Sequence, residues 1–246
     1  PGEPVGRNQI VSSSGIAVAA LVRGWGGDPT LFDIARDDAA LIESRIAAGA
    51  QHDLLITLGG ASVGDHDLVQ AALKAQGFSM DFWRIAMRPG RPMAVGRIHT
   101  PAPDLQAKNA ASLCSKQASS YQIESNNNAG AVLFGLPGNP VAVMVTFYQF
   151  VQDALLHLGG LTPLPERPLV PAECADAIRK QPGRREFLRG RLSREDGIWK
   201  VRLSGAQGSG ILRSMSEANC FIVLEETRGN VAPGDAVSVQ LFDGLI

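Results

Sequence analysis

A glycine-rich segment at residues 59–67 has the residue types of an anion-binding loop. It lies between a predicted strand and a predicted helix, where backbone N–H groups and the positive end of the helix can hold an anion. Ser62 offers a hydroxyl group, and Asp67 could hold a divalent cation that neutralises a phosphate. The alternative is a tight turn capped by an acid. The glycines that would let the backbone approach a phosphate closely are Gly59, Gly60 and Gly64.

Two arginines on a Pro-Gly-Pro frame form a second candidate. Arg88 and Arg91 are separated by Pro89 and Gly90 and are followed by Pro92. The prolines restrict the backbone, and each guanidinium offers several donors that suit an oxyanion. A loop that only turned would not need both arginines, so the segment predicts a preorganised anion clamp.

Three further segments give weaker signals. Residues 135–140 join a predicted strand to a predicted helix and by themselves indicate a tight turn. Residues 204–210 are rich in glycine and serine, for which a flexible linker is the alternative interpretation. Residues 183–189 contain three arginines, which a solvated charged strand would explain equally well.

The elements that must position these loops alternate between helix and strand. Ser12, Ser13 and Ser14 predict the N-cap of a first helix that ends near Gly24, and Asp37 and Asp38 precede a second helix. The alternation predicts an α/β fold with a parallel or mixed sheet and flanking helices, in which strand 53–58 is buried on both faces. Further helices are predicted at 68–76 and 141–158, and further strands at 78–87, 93–98 and 131–134.

Changes in pattern divide the chain into two predicted domains. Residues 1–160 form the α/β domain, and its polar tract 99–130 has no sustained period, which predicts a mobile insertion. Glycines and prolines at 159–165 end the last helix and predict a linker. Residues 165–246 then predict a small β-barrel or sandwich domain. Its strand-like runs are 169–177, 186–193, 198–203, 220–225 and 236–242.

Composition excludes several function classes. The formal net charge of -1 provides no basic field for nucleic acid or an anionic membrane, so any anion must be held by a local site. Cys114, Cys174 and Cys220 are far apart and predict free thiols in a reducing compartment. No secretory signal is seen, and glycines and prolines interrupt the most apolar stretch, 131–151. These features predict a soluble, cytoplasmic protein.

Taken together, the segments resemble the molybdopterin molybdenumtransferase family, which includes bacterial enzymes and the E domains of plant and animal fusion proteins such as gephyrin. The family pattern Gly-Gly-x-Ser-x-Gly-x-x-Asp is met at 59–67, and a basic residue, Pro-Gly, a basic residue and Pro are met at 88–92. Residues 135–140 match a third motif, and 204–219 match the Ser-Gly-x-Gln-x-Ser stretch of the last domain. Four motifs in family order make the resemblance specific.

The resemblance implies an elongated homodimer in which the α/β domain holds the pterin and the β-rich domain closes part of the site. It also implies the reaction: molybdate is inserted into adenylylated molybdopterin with Mg²⁺ present, and AMP leaves. Contact with the molybdopterin adenylyltransferase is a further implied partnership.

Residue roles follow from the same resemblance. Asp67 and Asp37 would serve the metal and the reacting phosphates, with Ser62 nearby as the third catalytic residue. Whether Asp37 or Asp38 is the family acid stays open at this point. The implied substrate-binding residues are Gly59, Gly60, Gly64, Arg88, Pro89, Arg91, Pro92, Gly138, Asn139, Pro140, Arg184 and Ser209.

The sequence departs from the family pattern in several places. Both clamp positions are arginine where many relatives have lysine, which should alter the geometry of anion binding. Val141 and Ala142 occupy positions where relatives commonly place a serine. The tract 99–130 is longer than the family loop. The family's first core strand, its Ser-Thr-Gly-Asp-Glu segment and two preceding domains are missing, so we expect a fragment that is inactive alone or needs a separate N-terminal piece.

Two other functions compete with this interpretation. The related molybdopterin adenylyltransferase shares the α/β fold and the glycine-serine loop but lacks the β-rich tail, so residues 165–246 favour the molybdenumtransferase. A non-catalytic scaffold of the same fold would be favoured by loss of Asp67 or the clamp arginines, and all of these are present.

Overall fold

The structure, a computed structural model, describes residues 6, 12–35, 37–59, 68–82, 85–98, 131–208 and 210–242. The predicted mobile insertion at 99–130 lies outside the described residues. In chain order the elements are α1 (Ser14–Gly24), α2 (Ala39–Gly49), β1 (Leu54–Leu58), α3 (Leu68–Ala75), β2 (Phe78–Phe82), β3 (Met87–Arg88), β4 (Ala94–Ile98), β5 (Val132–Leu136), α4 (Pro140–Thr146), a π-helical turn (Phe147–Val151), α5 (Gln152–Leu158), β6 (Val170–Cys174), β7 (Arg185–Glu195), β8 (Ile198–Leu203), α6 (Arg213–Ser216), β9 (Cys220–Leu224) and β10 (Ala236–Leu241).

The first sheet is mixed, which confirms the predicted α/β fold. Its strand order is β1-β5-β4-β2, with β1 and β5 parallel and the other two pairings antiparallel. The prediction that β1 is buried on both faces holds only in part: Leu55 is buried in one apolar cluster, the alternating residues Leu54 and Ile56 are partly buried against another, and Leu58 is 37% exposed. The reason is position, because β1 lies at an edge of the sheet that the described residues form.

The predicted strand 78–87 is also wrong as a single element. Residues of β2 pair with β4 in the first sheet, whereas Met87 and Arg88 pair in parallel with Arg185 and Glu186 in the second sheet. One run of strand-forming residues therefore serves two sheets, and the partner strand determines which part belongs to which.

The N-terminus of α2 has a side-chain cap, whereas that of α1 lacks the cap that the sequence predicted. Asp38 caps α2, since its Oδ1 atom accepts a hydrogen bond from the Leu41 backbone N–H at 3.1 Å. The predicted serine cap of α1 is replaced by an uncapped start, because Ser13 precedes the helix without a side-chain hydrogen bond to it.

The helix Pro140–Leu158 is long and apolar enough to be considered as a membrane span by composition alone. In the structure its first part lies in the core, since Val141, Val143, Val145 and Phe147 are 0% exposed, whereas α5 contributes no buried residue. Its apolar composition is therefore explained by packing against both sheets of the molecule.

The second sheet closes into a five-stranded barrel, because β7 pairs with both β8 and β9 in the order β7-β8-β6-β10-β9. All five strands predicted in the tail are present. Inward-facing apolar residues fill the barrel, and they include Cys174 and Cys220 as buried free thiols. Cys114 lies outside the described residues.

Aromatic side chains fix the barrel against the long helix. Tyr148 stacks on Phe242 with ring centroids 5.3 Å apart, and Phe221 meets the Phe242 ring at 4.4 Å. Gln149 donates a hydrogen bond to Gln240 across the same contact at 2.8 Å. These contacts join the barrel to the middle of the long helix, at its π-helical turn.

The hairpin between β7 and β8 turns at Asp196 and Gly197, whose φ angles are +51° and +82°. Two consecutive positive φ angles match the turn type whose twist suits a two-residue hairpin. We expect Gly197→Ala to lower the free energy of unfolding by about 1 kcal/mol, because a Cβ atom disfavours this conformation. Urea denaturation measures the loss. Gly229→Ala is the matched control, since a Cβ there meets no atom within 4 Å and its φ is not positive, and equal losses in both variants would contradict the prediction.

Candidate functional site

Two glycine motifs meet where the parallel strands β1 and β5 end. The Gly59 backbone N–H donates to the Leu136 carbonyl at 3.0 Å, which extends the pairing of the strands into both loops. A Cβ built on Gly138 would lie 3.6 Å from the Gly59 Cα atom, and Gly59 has a φ of +86°. The backbones of the first and third sequence motifs are thus neighbours at the carboxyl edge of the sheet, where ligands of α/β proteins bind.

The long helix begins at this edge. Asn139 is its N-cap, and its Oδ1 atom accepts a hydrogen bond from the Val141 N–H at 3.2 Å. Pro140 occupies the first turn, where no backbone donor is needed. Residues 135–140 are therefore more than a tight turn, since they aim a helix start at the Gly59 loop.

The barrel sends its glycine-serine loop to the same place. A Cβ built on Gly210 would lie 3.8 Å from the Asn139 Nδ2 atom. Three of the four sequence motifs thus converge at residues 59, 138–139 and 210, although they come from opposite ends of the chain. Ser209, the residue of this loop that precedes Gly210, lies outside the described residues.

Arg189 organises the glycine-serine loop, so the flexible-linker interpretation is wrong. Its side chain is 1% exposed, and its Nε donates to Ser214 Oγ at 3.0 Å while Nη2 donates to the Ala206 and Gly208 carbonyls, both at 3.1 Å. The Gln207 side chain accepts from the Arg189 N–H at 2.9 Å and donates to its carbonyl at 3.0 Å. Burial lowers the pKa of Arg189 from its ordinary value. The hydrogen bonds from the guanidinium satisfy the Ala206 and Gly208 carbonyl groups, which face the buried side chain.

The arginine clamp lies between the two sheets. β3 carries Arg88 beside β7 of the barrel, and β4 starts just after Pro92. Ala94 is paired with Gly135, so the clamp leads into the edge where β5 ends. The second motif therefore joins the same edge of the sheet as the other three.

Gly90 is the tightly packed residue of the clamp. A Cβ built on it would lie 2.8 Å from the Thr146 Cγ2 atom and 3.0 Å from the Met87 Cε atom, and its φ is +126°. Only glycine fits this backbone against the long helix. The backbone of the clamp is thus packed closely against the long helix at Gly90.

The two clamp arginines have different surroundings. The Nη1 atom of Arg88 lies 3.7 Å from Oε1 of Glu186 on β7. Arg91 is exposed and has no ion pair with any described residue. Pro89 and Pro92 flank Gly90 and Arg91 in the loop. Among the described residues, Arg88 therefore has a carboxylate partner and Arg91 has none.

The three arginines at 183–189 also differ in exposure and in their partners. The interpretation of this segment as a solvated charged strand is therefore wrong. Arg184 is exposed and makes no ion pair within the described part of the chain. Arg185 pairs with Glu226, with its Nε 3.3 Å from Oε1. Arg189, which the sequence analysis did not single out, is the one that contacts the glycine-serine loop. In the sequence Arg189 is visible only as a cation four positions after Arg185 on a predicted strand. Periodicity alone does not indicate what such a cation contacts.

The acids are described only in part. Asp38 is engaged as the α2 cap, whereas Asp37 is exposed and has no hydrogen bond or ion pair with a described residue. Ala35 and Val69 pack on one apolar cluster with Leu55 of β1, and they are close in sequence to Asp37 and Asp67. No group of three or more His, Cys, Asp or Glu side chains forms within the residues that the structure describes. The predicted residues outside the described ranges are Gly60, Ser62, Gly64, Asp67 and Ser209.

Family models match both parts of the chain. A model described as the probable molybdopterin binding domain matches residues 2–157, and one described as the MoeA C-terminal region (domain IV) matches residues 171–242. The chain is similar to the molybdopterin molybdenumtransferase of Haemophilus influenzae, with 34% identity over 100% of this chain and 54% of that protein. It is also similar to the molybdopterin molybdenumtransferase of a Nostoc species, with 33% identity over 97% of this chain and 49% of that protein.

A solved structure supports the fold. The chain matches a molybdenum cofactor biosynthesis protein from Pyrococcus furiosus with a TM-score of 0.63 and 25% identity, covering 94% of this chain and 65% of that one. The chain spans about half the length of the curated relatives named above.

Proposed function

Because this chain belongs to the probable molybdopterin binding domain family, we propose that it is the substrate-binding and catalytic part of a molybdopterin molybdenumtransferase. The reaction would insert molybdate into adenylylated molybdopterin and release AMP. The observation that carries the proposal is the approach of Gly210 to Asn139, which joins the barrel loop to the edge of the α/β sheet. The adenylyltransferase alternative is disfavoured, since the barrel matches the MoeA C-terminal region.

The described residues would bind the substrate anions through two kinds of group, backbone N–H groups and arginine side chains. The backbone around Gly59 and the helix start at Asn139 would hold the phosphates of the substrate, because N–H groups at these positions bind anions. Arg91 and Arg184 carry positive charge without a carboxylate partner in the described chain and would bind molybdate or phosphate. Binding and orientation supply much of the rate in phosphoryl chemistry of this kind.

We propose Mg²⁺ as the metal that the acids of the site would hold. Mg²⁺ needs one or two carboxylates and completes its shell with water and substrate phosphates, so a cluster of three acids is not required. Asp37 has a carboxylate free of described partners, and the sequence motif makes Asp67 the second candidate ligand, with Ser62 in the same motif. When bound, the ion would neutralise charge on the phosphoanhydride that is cleaved.

Several finer features of the proposal rest on the family resemblance and on surface composition. We infer a homodimer, which is supported by the exposed apolar side chains of four residues close in sequence, Leu158, Leu161, Leu164 and Leu169. Contact with a molybdopterin adenylyltransferase would allow the adenylylated pterin to be transferred directly to this protein. Buried free thiols support a reducing, cytoplasmic location.

Calorimetric titration with AMP and Mg²⁺, and separately with molybdate, tests the proposal on the whole chain. We expect both to bind, and we expect Arg91→Ala to weaken molybdate binding by roughly tenfold through loss of a charge-assisted contact. Arg97→Ala is the matched control, since Arg97 is exposed on β4 opposite Val132, at the other edge of the sheet. Equal binding by both variants would refute the role of Arg91, and absence of all binding by the unmodified chain would refute substrate binding by this part alone.

A further inference from the structure

Glu186 is a buried carboxylate at the junction of the clamp and the barrel. The residue is 6% exposed, and its side chain is 8% exposed. Among the described residues its ion-pair partner is Arg88, with 3.7 Å between Oε1 and Nη1. Burial of a carboxylate is costly unless a cation compensates for it. Arg88 is the group that does so here.

The backbone fixes this pair. β3 and β7 run in parallel with Arg88 opposite Glu186, and the Arg185 N–H donates to the Ala86 carbonyl at 3.0 Å next to it. On its other side Glu186 is opposite Leu224 of β9, so the barrel wall holds the carboxylate in place. The anchor is therefore rigid, whereas the Arg88 side chain is 66% exposed and would otherwise sample many rotamers.

We propose that Glu186 is a positioning residue that holds Arg88 in an anion-binding orientation at the substrate site, an inference that rests on the proposed function. One side of the guanidinium faces Glu186, and its remaining N–H groups are left for an oxyanion. The fork shape of arginine allows this double use, because its five donors lie in one plane. Glu186 acts through Arg88 and need not touch the substrate.

The negative charge of Glu186 allows two effects on anion affinity to be distinguished. A carboxylate near an anion site lowers anion affinity by repulsion, so removal of its charge should strengthen binding if repulsion is its only effect. Removal should weaken binding if the carboxylate orders Arg88. The direction of the change therefore separates positioning from simple electrostatics.

The experiment compares molybdate affinity of the unmodified chain and of Glu186→Gln, which keeps the size of the side chain and removes its charge. We expect binding to weaken by roughly threefold to tenfold. Glu226→Gln is the matched control: it removes the same charge from a carboxylate that pairs with Arg185 instead, and it should leave binding equal or tighter. Thermal unfolding of each variant checks that the fold is intact.

A double-mutant cycle assigns the effect to Arg88. If Glu186 acts through Arg88, the Glu186→Gln change has no effect on affinity in an Arg88→Ala background. Tighter or unchanged binding by Glu186→Gln alone, or an equal loss in both backgrounds, would overturn the proposal.

Failure of the proposed function gives a different result. If the unmodified chain binds no molybdate, the NMR relaxation of the Arg88 Nε–H group decides the inference without a ligand. An ordered Arg88 in the unmodified chain that becomes mobile in Glu186→Gln supports positioning, whereas equal mobility in both overturns it.

Discussion

Phe221→Ala is expected to lower the free energy of unfolding by about 3 to 5 kcal/mol, the range found when a large core aromatic is removed. Phe221 is 0% exposed, and its ring contacts those of Tyr148, Phe187 and Phe242. The loss combines the barrel core with the contact between barrel and helix. Equilibrium denaturation in urea, followed by far-UV circular dichroism, measures it.

Two controls define this prediction. Phe221→Leu keeps most of the volume and should cost less than half as much as the alanine variant. Ile198→Ala removes an apolar side chain that is 51% exposed on the same barrel, and we expect a change below about 1 kcal/mol. A loss for Phe221→Ala no greater than that for Ile198→Ala would show that the aromatic cluster does not join the two parts of the molecule.

The second large effect concerns pH. Burial raises the pKa of the Cys220 thiol to about 12 from its ordinary value of 9.0. The folded pKa is the higher one, so the contribution of this group is fully present below about pH 9 and is lost as the pH rises toward 12. The slope is about 1.4 kcal/mol per pH unit, which gives about 4 kcal/mol over the window.

A comparison with Cys220→Ala isolates this thiol, because other groups that titrate at alkaline pH are shared by both proteins. The difference in free energy of unfolding between the unmodified chain and the variant should fall by about 2 kcal/mol between about pH 8 and about pH 10.5. The measurement needs a reductant so that the unfolded thiol stays free. A difference that stays constant across this range would contradict the prediction.

Most elements of the fold could be predicted from the sequence because they are encoded locally. The five strands of the barrel and the long helix each depend on patterns within a short window. The prediction of a single strand at 78–87 is wrong because distant partners decide the pairing. β2 pairs with β4 and β3 pairs with β7, and neither partner lies within a short window around residue 80.

The candidate site shows the same division. Sequence motifs identified the Gly59, Arg88–Arg91 and Asn139 loops, and the structure places their described residues at one edge of the sheet. The motifs did not reveal that Arg189 is buried under the glycine-serine loop or that Arg88 is paired with Glu186. Each of these facts is a contact between distant segments.

By itself the sequence determined which residue types make up the candidate motifs, where most of the strands and helices run, and which family the chain resembles. Those properties follow from side-chain chemistry and from the periodicity of neighbouring residues. Only the tertiary structure decided how the arginines are partnered: Arg91 and Arg184 are without a described carboxylate partner, while Arg88 and Arg185 pair with glutamates and Arg189 donates to the glycine-serine loop. The physical reason is that burial and pairing depend on packing of the barrel against the long helix, which brings distant parts of the chain together.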